Sequence, residues 1–202
     1  MMDITKGNIN DNKDFIKLFL ISAPFFPVVF GENIKKMLNN LFITKNNLFS
    51  YQHIYFAKKE GKILGMILCY SWKTKNRENL RTGHLMLKNL GIVFFKRIIP
   101  LIKLNKAIGR ISKEDFYISN IAVYDSFRGL GTGKQLIFKA EDIARKSGSK
   151  NIILDVEKEN IKAINFYNNL GFRKITESNI KTRNCILSFY RMKKQLIGFG
   201  SN

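Results

Sequence analysis

From His53 to Trp72 the chain reads HIYFAKKEGKILGMILCYSW, two β-rich apolar runs on either side of Lys59-Glu60-Gly61-Lys62. That pattern predicts an antiparallel hairpin, with Gly61 supplying the turn. Upstream, residues 3–7 fit a short first strand, and 11–22 fit a helix that Pro24 and Pro27 terminate. A second helix is expected from about Gly31 to Leu41. The segment 73–113 then changes character. A polar stretch from Lys73 to Arg81 leads into LMLKNLGIVFFKRIIPLIKL, whose apolar positions are interrupted by Lys88, Lys96, Arg97 and Lys103. Two short amphipathic helices broken at Gly91 and Pro100 are expected there, as a helical insertion acting as a buried pair, a lid, an acceptor-binding wall or a membrane-surface patch.

From Phe116 the pattern becomes regular: a strand FYISNIAVY, a Gly-rich turn, a helix 133–147, a strand 151–156, a helix 160–170, then strands near 172–177 and 184–193. Strand, helix, strand, helix, strand with short connections implies a parallel pair joined by a right-handed crossover and finished by an antiparallel hairpin. Within 133–147, Leu136, Ile137, Ala140, Ile143 and Ala144 form one apolar stripe, and Gly148 suits the C′ position.

The segment Arg128-Gly129-Leu130-Gly131-Thr132-Gly133-Lys134 lies between the strand ending near Tyr124 and that helix. A Gly-rich turn from strand to helix aims several N–H groups at one point, and the helix start adds roughly half a positive charge, so a phosphate or pyrophosphate is well received there. A purely structural tight turn is the other reading of the same residues. Two common nucleotide motifs fail on spacing. A P-loop would need Gly at Arg128 and Ser or Thr at Gln135. A dinucleotide fingerprint would need its third glycine at Lys134.

These residues resemble the GNAT family of N-acetyltransferases, whose cofactor loop reads Arg/Gln-x-x-Gly-x-Gly/Ala after a strand like Ile121-Ala122-Val123. Arg128, Gly131 and Gly133 match that loop, and LDVEKENIKAINFYNNLGF resembles the family's second block through Asn160, Ala163, Phe166-Tyr167, Leu170 and Gly171-Phe172. The likeness covers about 116–173, and the hairpin more loosely. It implies a mixed α/β fold: a mostly antiparallel sheet with a central splayed parallel strand pair, flanked by helices. It also implies acetyl-CoA as acyl donor, the arm of the cofactor meeting Ile121, Ala122 and Val123, and the pyrophosphate held by amides from Arg128, Gly129, Leu130, Gly131, Thr132, Gly133 and Lys134. By the same resemblance Asn160 bonds to the cofactor arm and Tyr167 acts as the acid at the sulfur. A longer acyl donor would be accepted by the same loop. Many relatives carry a glutamate base on the strand before the turn, where this chain has Ser119-Asn120. Asp155 or Glu157 at the end of the next strand are the substitutes considered, with a solvated charge as the alternative.

Asn160 and Tyr167 are seven residues apart, almost two helical turns, and therefore share a face. The structural alternatives are an N-cap for Asn160, a core aromatic for Tyr167 and a solvated surface residue for Arg128.

Composition changes this picture in three ways. With 202 residues, three prolines and 45% hydrophobic positions, one acetyltransferase domain over 1–202 is expected, without a disordered tract. No apolar run spans a bilayer and the first 20 residues are not a signal peptide, which suggests a cytoplasmic protein. Cys69 and Cys185 each sit in a strand-like run and are expected to be free, buried and inert. Neither cysteine nor histidine spacing suggests a metal site. The net charge of +20 attracts polyanions: nucleic acid, an anionic membrane surface or a phosphorylated cofactor. A non-catalytic basic protein binding one of the first two is the rival to an enzyme that acetylates a small-molecule or peptide amine. The acceptor stays open, and so does the oligomeric state, a homodimer included.

Overall fold

A computed structural model describes residues 2–31, 33–91, 110–181 and 186–196. Seven strands form one sheet: β1 (Asp3–Lys6), β2 (Ile54–Lys59), β3 (Lys62–Ser71), β4 (Asp115–Val123), β5 (Asn151–Glu157), β6 (Arg173–Lys181) and β7 (Ile186–Gln195). Their order is β1-β2-β3-β4-β5-β7-β6, and β4 with β5 is the parallel pair in an otherwise antiparallel array. The fold class expected from the sequence is therefore the one observed. The hairpin turn puts both Glu60 (φ 50°) and Gly61 (φ 76°) in the left-handed region, the backbone whose twist matches the flanking strands.

Helices cover both faces. On one lie α1 (Asn12–Ser22), α2 (Phe26–Phe30), α3 (Ile34–Ile43) and α4 (Trp72–Leu90); on the other lie α5 (Thr132–Lys146) and α6 (Ile161–Asn169). The stripes follow helical spacing: Phe15, Leu18 and Phe19 in α1, then Ile34, Met37, Leu38, Leu41 and Phe42 in α3, are all buried against β2, β3 and β4. Phe15 is fully enclosed and stacks on Phe42 with ring centroids 4.7 Å apart. Phe15→Ala is expected to lower the unfolding free energy in urea by about 3–5 kcal/mol, since the site is too tightly surrounded to collapse.

Three expectations need correction. Pro27 does not end a helix; it sits in the first turn of α2, where its missing N–H costs nothing. The stretch Lys73–Arg81 is not a polar lead-in to a helix pair but the first half of a single 19-residue helix, capped by the Ser71 side chain and ended at Gly91. The second break, at Pro100, lies outside the described residues. Finally, β6 runs on to Lys181, four residues past its expected end. Cys69 is free and buried, its thiol pushed up to about 12 by burial, while Cys185 lies outside the described residues.

Candidate active site

The sheet is open at its centre. β4 and β5 pair only from Asp115↔Asn151 to Ile118↔Leu154, although both strands run on, to Val123 and Glu157. The cause lies on the other side of β4. Its register against β3 steps from Cys69↔Ile118 to Leu68↔Asn120, so Ser119 is an extra residue, and such a bulge bends the strand away from its neighbour. Packing confirms the step: Tyr117 faces the α1–α4 side and so, three residues on, does Asn120, which donates to Ser22 Oγ at 2.9 Å. Beyond the bulge, Tyr124 N donates to Leu64 O on β3. Backbone alternation then turns the peptide groups of Ala122 toward β3 as well, and presents those of Ile121 and Val123 to the gap.

After β4 the chain makes one short turn, Asp125–Phe127, and enters the Gly-rich loop. Gly129 (φ 78°) and Gly131 (φ 77°) take left-handed backbone, and Gly131 is the residue just before α5. Among the described residues, the N–H groups of Gly129, Leu130, Gly131, Thr132, Gly133 and Lys134 donate to nothing; the next amide, Gln135, bonds to Gly131 O. Alternating left-handed residues at a helix start gather such amides into an anion-binding concavity. Arg128 differs from the expectation in one respect: its N–H is already bonded to Asp125 O at 3.2 Å, and its guanidinium pairs with the Asp125 carboxylate at 2.8 Å. Gly133 has a steric role, since a Cβ there would stand 3.2 Å from the Phe166 ring; its absence lets α6 close on the loop.

A cavity of about 1100 Å³ joins these pieces. Ile121, Ala122, Val123, Arg128, Gly129, Gly131, Thr132, Gly133, Lys134, Asn160 and Tyr167 all line it. Leu130 does not; its side chain is 68% exposed, so only its backbone belongs to the loop's amide run. Asn160 is the N-cap of α6 through its Oδ1, which accepts from Ala163 N at 3.1 Å, and its Nδ2 remains unbonded among the described residues. Tyr167 is buried between Phe166 and Phe172, with centroids 5.4 and 5.7 Å away. Its Oη makes no hydrogen bond among the described residues, yet none of their fully enclosed polar side-chain atoms lacks a partner, so this Oη opens into the cavity. Desolvation pushes the phenol's pKa upward.

The cavity passes through the gap to the opposite face, under α1, α2 and α4. Alternation along β5 puts Leu154 and Val156 on the α5–α6 side and Asp155 and Glu157 on the α1–α4 side. Asp155 is committed: Arg191 Nε and Nη2 grip it at 2.9 Å each, and Tyr117 Oη donates to it at 3.1 Å. Glu157 is not. Its carboxylate makes no ion pair or hydrogen bond among the described residues, and burial first, then the charge of Glu159, raises its pKa. The sequence could not separate the two carboxylates, because the Asp155↔Arg191 register depends on a strand thirty-six residues away. Nor did it find Lys75 or the aromatic corner of α1 and α2, which reach the cavity from elements carrying no motif.

Comparison with known proteins bears on the family and the fold. The model of the acetyltransferase (GNAT) family matches residues 17–172. The chain belongs to that family. Over 79 residues it is 35% identical to the N-acetyltransferase YobR of Bacillus subtilis, a match covering 38% of this chain and 32% of that protein. It is 34% identical over 56 residues to N-alpha-acetyltransferase 30 of Schizosaccharomyces pombe, covering 28% of this chain and 37% of the relative. These stretches span about a third of each relative's length. An N-acetyltransferase structure from Staphylococcus aureus superposes with a TM-score of 0.70 at 16% identity, over 95% of this chain and 99% of the other, a likeness of fold. Among the described residues, no helix is long and apolar enough to cross a membrane.

Proposed function

We propose that this family member transfers an acetyl group from acetyl-coenzyme A to the primary amine of a small molecule or peptide. The observation that carries the reading is the run of six unengaged amides, Gly129 to Lys134, from five residues that line the same cavity as an unpaired strand edge, with Leu130 between them. Free amides at a helix start receive a diphosphate, and the Ile121 and Val123 peptide groups suit an amide-containing arm laid along the gap. Asn160 Nδ2 is free to donate to the same arm. Acetyl-coenzyme A supplies the activated carbonyl carbon.

The two faces then divide the work. Tyr167 belongs to the α5–α6 face and Glu157 to the α1–α4 face, so an amine arriving under α1, α2 and α4 meets the donor through the gap. Glu157 takes the proton from the incoming ammonium, the neutral amine nitrogen bonds to the acetyl carbon, and the carbon–sulfur bond breaks. The second proton shed by the nitrogen ends on the departing sulfur as the coenzyme A thiol, and Tyr167 Oη donates a hydrogen bond to that sulfur as it leaves.

Thermal denaturation with coenzyme A tests the donor half. The wild-type chain is expected to be stabilised by micromolar coenzyme A. In Gly131→Val a β-branched residue must hold φ near +77°, at a strain of roughly 1–2 kcal/mol or more. Relaxation of the loop is expected to weaken coenzyme A binding about tenfold or more. No shift with coenzyme A, together with tight duplex binding that falls log-linearly with salt, would replace this reading with that of a basic polyanion-binding protein.

A further inference from the structure

Resting on the acetyltransferase reading, we infer that the acceptor is a monoamine with an apolar body, seated in an aromatic chamber on the α1–α4 face. The chamber begins where α1 ends. Pro24 stops that helix, and the chain turns through Phe25 and Phe26 into α2. Phe25 packs edge-on against Phe189 of β7 with centroids 5.7 Å apart, and Phe189 is the cross-strand partner of Glu157. Directly opposed residues of an antiparallel pair share a face, so an aromatic wall stands beside the unengaged carboxylate. Phe49, from the connection between α3 and β2, and Met86 of α4 continue the apolar lining, and Tyr70 and Tyr117, with centroids 5.8 Å apart, form its floor.

Charge on this face selects against a second ammonium. The lining residues that carry charge here are Lys75, Asp155 and Glu157. Arg191 grips Asp155 and Lys75 also feels that carboxylate, which leaves Glu157 as the lining carboxylate without an ion pair among the described residues. Burial and the nearby Arg191 both lower the pKa of Lys75, so further positive charge is unwelcome in this region. A dication, such as a polyamine, would bring one more charge than the single unengaged carboxylate of Glu157 can pair with, into a protein of net charge +20. A single amine at Glu157 loses its charge on reaction, and an apolar body beside it gains by leaving water.

The test is coenzyme A release by the full-length chain with acetyl-CoA, supplied in turn with 2-phenylethylamine, isoamylamine, putrescine and spermidine. Expected is a kcat/KM for the two apolar monoamines about a hundredfold above that for the polyamines. Phe25→Ala is expected to lower kcat/KM for 2-phenylethylamine about tenfold, mostly through KM, with the thermal shift on coenzyme A unchanged. Preferred turnover of spermidine overturns the inference. So does faster turnover of octanoyl-CoA than acetyl-CoA with small polar amines, which would assign the chamber to the acyl chain. Silence from every monoamine while coenzyme A still stabilises the chain also overturns it and leaves the transferase reading standing. Loss of that stabilisation removes the transferase reading itself.

Discussion

Glu157→Gln is expected to reduce kcat by about 10²–10⁴-fold with little change in the affinity for coenzyme A. An amine of pKa about 10.4 is neutral in only about one part in 2500 at pH 7, a deficit of about 4.6 kcal/mol that a positioned base must offset. A carboxylate suits that task better when its pKa is raised toward the working pH, and desolvation raises that of Glu157, with Glu159 adding to it. The sign follows. Glu157 works only when ionised, so kcat/KM rises with pH through the raised pKa, and the acidic limb of the profile lies above the range of an ordinary glutamate. Glutamine removes that limb as well as the rate. Asp155→Asn gives the contrast: it frees Arg191 from its bidentate grip and should disturb stability, while the acidic limb stays in place. If Glu157→Gln retains wild-type kcat and an unaltered limb, the base lies elsewhere.

How much of this was legible in the sequence depends on whether the deciding signal is local. The hairpin turn, the apolar stripe of α5 and the Gly-rich loop are each written within a few residues, and all stand where the pattern puts them. α4 was misread for a physical reason. The inward face of its first half is polar: Glu78 is buried within 2.7 Å of both His53 Nε2 and Arg77 Nη2, and buried Thr82 donates to Glu78 O and accepts from Leu48 N. A helix that buries hydrogen-bonded polar groups has no hydrophobic period to find. The bulge at Ser119 was hidden likewise, since two polar residues in an apolar strand do not reveal which of them is unpaired. Roles that depend on distant register, such as the neutralisation of Asp155 by Arg191, need the assembled sheet.

Tyr167→Phe is expected to lower kcat about 10²–10³-fold while the KM for acetyl-CoA and the melting temperature hardly move. The ring keeps its packing against Phe166 and Phe172, and the lost Oη has no hydrogen-bond partner among the described residues, so the folded state gives up little. What is lost concerns the leaving sulfur. A phenol of ordinary pKa about 10 and a thiol of about 8.5 differ by about 2 kcal/mol, so complete transfer of a proton from Tyr167 to a thiolate runs uphill. Desolvation raises the phenol further, but it penalises the thiolate in the same slot too, so the gap stays near its intrinsic size. Tyr167 therefore acts as a hydrogen-bond donor that stays protonated through the neutral range, and its removal should scale the whole pH profile down without shifting either limb. That separates it from Glu157, whose loss changes the profile's shape. A Phe variant with unchanged kcat, or one that moves the acidic limb, would assign the donor role to another group in the gap.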